Sequence, residues 1–338
     1  MTISSFTIPK LSLECGKKLS RIEIAYETFG QLNQDKSNAV LVCHTLTGSS
    51  SIGGEAGWWQ KAIGPGKLLD TDRFFFLCSN VLGGCHGSTG PGSLCPEKHH
   101  PYGLDFPEVS ISDMVHCQKK LLEHLSIPQW HSAIGGCFGG FQVLKWLELY
   151  PQYLQSAVVI AATDSCAAHN IAIFEVMRRA VFANADLDRA MALPTMISAI
   201  FSMPPHLLSE RFSRKRKKNK AEDFFSPHYE VESYLQHIGE KSCQYFHPLS
   251  LLYLTRAMSH FEVSLEQINF SGPLLFVSYK NDWRYPSEAM ESMKRQLSQK
   301  NPLALHRTFE HPYGHHAFIN APDQLKETVD DFIGNRRR

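Results

Sequence analysis

Short, unbroken apolar runs recur along the chain, at 39–43, 74–78, 132–136, 156–160 and 274–279. Runs of this length, rich in β-branched and aromatic residues and without polar alternation, predict strands buried on both faces. Between them the spacing changes. Residues 111–125 place Met114, Cys117, Leu121, Leu122 and Leu125 on one face of a helix, and 141–150 predicts a second helix after a glycine-rich turn. Alternating strands and helices predict an α/β architecture, a mostly parallel sheet flanked by helices. From 164 to 245 the pattern is helical and polar with no clear strand, which predicts a helical lid insertion. The core is then 1–163 and 246–338, completed by a strand-like segment at 305–309 and a terminal helix around 322–333. An insertion there overlies the carboxyl ends of the strands, where open α/β sheets bind ligands.

A length of 338 residues with 43% hydrophobic content suffices for one large core. Lysine and arginine number 34 against 33 acidic residues, so no overall field gathers nucleic acid or an anionic membrane, and small-molecule substrates are expected. The basic blocks at 214–220 and 336–338 read as solvated loop and tail. The N-terminus lacks the apolar run of a signal peptide and no later stretch has about 18 uninterrupted apolar residues, so a cytoplasmic protein is expected. Nine cysteines, an odd number without framework spacing, point to reduced thiols.

The candidate chemistry centres on Gly135-Gly136-Cys137-Phe138-Gly139, which follows a strand and opens a helix. G-x-C-x-G fits a nucleophile elbow, the α/β-hydrolase-fold device that holds its central residue in a strained turn between closely packed elements. A cysteine there is a strong nucleophile, and a helix N-terminus lowers its pKa. The competing reading is a buried structural cysteine in a glycine-rich turn. The fold supplies its partners in the order nucleophile, acid, histidine. Asp282, just past the 274–279 strand, and His315, between the 305–309 segment and the terminal helix, meet that order. An oxyanion hole takes one backbone N–H from the residue after the nucleophile, Phe138, and another from an early loop; Leu46, in Cys43-His44-Thr45-Leu46-Thr47-Gly48, is the candidate. Cys85, His86, Cys95, His99 and His100 match no zinc template, so no metal is expected. No phosphate-binding loop with its lysine is present either.

Several longer stretches resemble the homoserine O-acetyltransferase family: AYETFGQLN at 25–33, KSNAVLVCHTLTGS at 36–49, GWWQKAIGPGKLLDTDRFFFLCSNVLGGCHGSTGP at 57–91, GGCFGGFQVLKW at 135–146, YEVESYLQHIGEK at 229–241, LLYLTRAMSHF at 251–261 and YGHHAFI at 313–319. The resemblance implies ping-pong acyl transfer without a bound cofactor. Acyl-CoA, the co-substrate, acylates the nucleophile, and the hydroxyl of an amino acid such as L-homoserine accepts the group. It implies that Arg178 pairs with the acceptor carboxylate, a role suited to a bidentate guanidinium, and that the protein is a homodimer through its helical insertion. Two positions depart from the family: Cys137 stands where the family has serine, and His316 where it has an aspartate that positions the acceptor.

Cysteine changes the energetics. Passing an acyl group from CoA to Cys137 exchanges one thioester for another, so the acyl-enzyme keeps its transfer potential. That leaves alternatives open: an acyl or aminoacyl shuttle between thiols of CoA or a carrier protein, a thiol hydrolase, or a retired homologue serving as a binding protein.

Overall fold

The computed structural model describes residues 3–55, 57–217 and 223–334. Residues 218–220 of the first basic block and all of the second lie outside that set. An eight-stranded sheet has the order β1-β2-β4-β3-β5-β6-β7-β8. Its centre is parallel: β3 (Ala39–Cys43), β4 (Phe75–Ser79), β5 (Ser132–Gly136), β6 (Ala157–Ile160), β7 (Leu274–Tyr279) and β8 (Ala304–Phe309). The five expected apolar runs form β3 to β7 and the 305–309 segment forms β8, with ends shifted by no more than one residue. β3, β5, β6 and β7 are buried at every position, as expected for strands covered on both faces.

The unbroken-run criterion misses two strands. β1 (Ser4–Ser12) and β2 (Lys18–Phe29) form an antiparallel hairpin, and β2 pairs antiparallel with β4. Ile8 and Leu11 of β1 and Leu19, Ile22 and Ile24 of β2 are buried, while Thr7, Lys10, Ser12, Lys18 and Arg21 beside them are exposed. Burial interrupted by exposed polar residues in this way marks a strand with one solvated face.

Helix α1 (Ile111–His124) opens on a capping box. Ser110 Oγ accepts from Asp113 N–H at 3.1 Å and the Asp113 carboxylate accepts from Ser110 N–H at 2.9 Å. It packs on α2 (Phe138–Leu149), which begins three residues before the expected 141 because the elbow leads straight into it. Between β6 and β7 lie α3 (Ala168–Phe182), α4 (Ala192–Ser202), α5 (Pro205–Phe212), α6 (Glu230–Ser242) and α7 (Pro248–Ser259). α4 packs on α3 and α6, and α3 packs on α7. After β7, α8 (Ser287–Ser298) packs on β7 and β8, a short α9 (Ala317–Asn320) follows the His315 turn, and α10 (Lys326–Gly334) closes the chain's described part. Among the described residues no single helix is long and apolar enough to cross a membrane.

Candidate active site

Cys137 sits between β5 and α2 with φ 56° and ψ −120°, a left-handed conformation that strains a non-glycine residue. Its neighbours make the turn possible. A Cβ on Gly135 would lie 2.4 Å from the Gly139 carbonyl oxygen, and one on Gly139 would lie 2.1 Å from the Cys43 oxygen. Only backbone without side chains fits between β3, β5 and α2. The substitution Gly139→Ala is therefore expected to cost about 3 kcal/mol or to prevent folding, read as a lowered denaturant midpoint or loss of soluble protein.

The loop after β7 carries Asp282. Asp282 Oδ2 meets His315 Nδ1 at 2.7 Å, while Oδ1 accepts the backbone N–H groups of Arg284 at 3.0 Å and Tyr285 at 3.1 Å. Both oxygens are committed, which fixes the imidazole's orientation and directs its other nitrogen away from the acid. Asp282, His315 and Cys137 are each at most 5% exposed. The His315 segment is tied down from outside: Trp59 Nε1 donates to the Phe318 carbonyl at 2.7 Å, and Phe318 occupies the space a side chain on Gly136 would need.

The elbow motif, the strand-end position and the chain order suggested these three residues, and the structure brings them together. His315 interacts with the Cys137 thiol electrostatically, and Cys137 Sγ lies 3.8 Å from the Tyr285 hydroxyl. Burial pushes the Cys137 thiol up, but the adjacent His315 and, more weakly, Arg284 outweigh it and hold it at about 7. Burial likewise opposes the His315 imidazolium, yet Asp282 and the thiolate raise it to about 9. The thiolate gains population above about 7 and the imidazolium is lost above about 9, so the ion pair occupies the window between. Alkylation of Cys137 by iodoacetamide is expected to rise with pH through about 7. A rise deferred to about 9, the ordinary thiol value, would show that the pair does not form.

A cavity of about 270 Å³ adjoins Cys137 and His315, lined also by His316, by Thr45, Leu46 and Thr47 after β3, and by residues of α3, α4 and α6. The helical segment between β6 and β7 thus roofs Cys137. Leu46 borders this cavity, and Phe138 is the first residue of α2, next to the sulfur. His44 braces their loop: Nδ1 donates to the Thr45 carbonyl at 2.7 Å and Nε2 accepts from Val81 N–H at 3.3 Å. Burial holds His44 down at about 4, so it is neutral and can play both roles. His316 lines the same cavity. Burial first, then the neighbouring His315 and Arg284, keep it near 3, an uncharged ring able to accept a hydrogen bond.

Arg178 is not brought to this cavity. Its guanidinium is held by Glu175 at 2.9 Å and by Ser259 Oγ at 3.3 Å, and it faces a separate cavity of about 860 Å³ beside Arg256 and Lys145. The helical period explains the displacement: on α3 it is Met177, one position earlier, that turns toward the triad. The arginine that does line the triad cavity is Arg284, two residues beyond Asp282, and sequence reading missed it. Arg284 is 6% exposed; Nη1 donates to Ser202 Oγ at 3.1 Å, and Nε has no hydrogen-bond partner among the described residues. The signal was present in Asn281-Asp282-Trp283-Arg284-Tyr285, because a loop that presents an acid to the site presents its near neighbours too.

A parallel sheet with a cysteine elbow, an acid after β7 and a histidine after β8 places the chain in a hydrolase-type fold class, and the profile of the alpha/beta hydrolase fold family matches residues 38–322. The homoserine O-acetyltransferase of Methanosalsum zhilinae is 38% identical over 350 residues, covering 96% of this chain and 71% of the relative. The homoserine O-succinyltransferase of Halorhodospira halophila is 36% identical over 356 residues, covering 97% and 93%. Among solved structures, homoserine O-acetyltransferase from Bacillus anthracis superposes with a TM-score of 0.89 at 22% identity, covering 99% of this chain and 98% of that one. The chain belongs to the homoserine O-acetyltransferase family.

Proposed function

We propose that this protein is an acyltransferase that carries an acyl group from a CoA thioester to the hydroxyl of L-homoserine or a similar amino acid, by way of Cys137. The observation that carries this reading is the buried Cys137–His315–Asp282 array beneath a helical roof. In the first half-reaction the thiolate attacks the thioester carbonyl, the N–H groups of Leu46 and Phe138 receive the oxyanion, and the His315 imidazolium returns its proton to the departing CoA sulfur. In the second, neutral His315 takes the proton of the acceptor hydroxyl as its oxygen attacks, and the sulfur leaves as thiolate. The roof favours transfer over hydrolysis by limiting water. Neutral His316 accepts a hydrogen bond from the acceptor's amino group, in place of the family aspartate's ion pair.

Arg284 narrows the donor. A buried guanidinium with a free donor, close enough to Cys137 to lower its thiol, is a receptor for a carboxylate. A carboxylate at the end of the acyl chain stays beside Cys137 through both half-reactions, so a dicarboxylic donor such as succinyl-CoA fits this cavity better than acetyl-CoA. The test is thiol titration of released CoA. Release from succinyl-CoA or acetyl-CoA that depends on L-homoserine supports the transferase. Equal release without acceptor would make the protein a thioester hydrolase.

A further inference from the structure

One more group touches the reacting sulfur. Tyr285 is fully buried, its ring lies between Phe141, edge-on at 5.8 Å, and His315, tilted at 5.3 Å, and its hydroxyl is 3.8 Å from Cys137 Sγ. Among the described residues that sulfur is the one hydrogen-bond partner of the Tyr285 hydroxyl. The ring has little freedom to turn away, since its backbone N–H is pinned on Asp282 and its faces are packed. The same loop therefore sets both the acid behind His315 and the hydroxyl in front of Cys137.

We infer that Tyr285 is a catalytic residue that donates its hydroxyl proton in a hydrogen bond to the Cys137 sulfur, and that it acts chiefly in discharge of the acyl-enzyme. The inference rests on Cys137 being the nucleophile. In an acyl-enzyme the thioester sulfur is a poor acceptor. When the tetrahedral intermediate of the second half-reaction collapses, the C–S bond breaks and its electron pair returns to sulfur. The carbonyl re-forms, and the acceptor's proton resides on His315. Charge then develops on Sγ opposite a preorganised donor, so the bond strengthens in the transition state relative to the acyl-enzyme. Burial and the neighbouring thiolate push the phenol of Tyr285 well above its ordinary range, so it keeps its proton throughout. A cysteine suits this arrangement better than a serine, because the longer C–S bond and larger sulfur bring the nucleophile toward the hydroxyl.

The test is Tyr285→Phe, which keeps the ring and removes one oxygen, in the full chain. Single-turnover mass spectrometry with succinyl-CoA and acetyl-CoA follows loading and discharge separately, and iodoacetamide alkylation reads Cys137 independently of substrate. Discharge to homoserine is expected to slow about tenfold to a hundredfold while loading changes less than threefold, the loss of one donor to a developing charge. The alkylation profile should move to higher pH. In Cys137→Ser protein the same tyrosine substitution should change little. Unaltered discharge in Tyr285→Phe protein that alkylates normally would overturn the role of Tyr285. Wild-type protein in which Cys137 neither alkylates nor loads would instead overturn the nucleophile assignment on which it rests.

Discussion

Cys137→Ala protein is expected to lose acyl transfer by about 10⁴-fold or more, to form no covalent adduct, and to fold with an unchanged midpoint. Removal of a triad nucleophile costs as much as removal of the whole array, because the members act as a unit. The size of the loss follows from the geometry. Cys137 is held in a strained turn by glycines that leave no room for alternatives, its thiol is drawn down to about 7 by His315, and no second cysteine borders the cavity among the described residues. Cys166 comes closest electrostatically, and burial pushes it up to about 11, which leaves it protonated. Cys137→Ser should retain a covalent intermediate of a different kind, an oxygen ester that resists neutral hydroxylamine where the native thioester is cleaved. Intact mass before and after hydroxylamine distinguishes the three proteins. Residual transfer in Cys137→Ala within tenfold of wild type would mean that the acyl group passes directly between substrates.

Arg284→Leu is expected to have the second largest effect. A buried charge-assisted pair between a guanidinium and a carboxylate is worth about 2–4 kcal/mol when one partner is truncated, or about 30-fold to 1000-fold in kcat/KM. If the carboxylate belongs to the donor, the loss falls on succinyl-CoA, acetyl-CoA turnover is spared or improved, and the KM for homoserine stays put. The substitution also leaves Ser202 Oγ without its donor and removes a cation that packs near the faces of Phe174 and Tyr285 at about 6 Å, so Arg284→Lys serves as a control for packing. Lysine retains charge without the planar fork and should recover part of the succinyl activity. A raised KM for homoserine with no change in donor preference would assign Arg284 to the acceptor carboxylate instead.

How far the sequence could be read depended on the kind of signal. The central strands were legible because burial on both faces leaves a short unbroken apolar run bounded by turn residues and followed by a helical pattern. β1 and β2 were not, because their apolar residues are interrupted by exposed lysine, serine, threonine and arginine and make no run. Cys137, Asp282 and His315 were legible because the fold fixes both their chain order and their local settings: an elbow, a strand end and a turn before the last helices. Arg178 and Arg284 show where such reading stops. A one-residue change along α3 rotates a side chain by about 100°, enough to move a guanidinium from one cavity to another, and no spacing rule says which residues of an irregular loop turn inward. The neutrality of His316 was equally hidden, since it follows from burial beside the His315 imidazolium and Arg284.

The central claim, a covalent acyl group on Cys137 that passes to an amino-acid hydroxyl, is tested most directly by intact-mass spectrometry after mixing with succinyl-CoA or acetyl-CoA, with and without L-homoserine. The account predicts a mass increase of one acyl group, mapped to Cys137 by peptide analysis, with matching CoA release and loss of the adduct as O-acylhomoserine forms. An unmodified protein with no CoA released from either donor, or an adduct mapped to a residue other than Cys137, would contradict it.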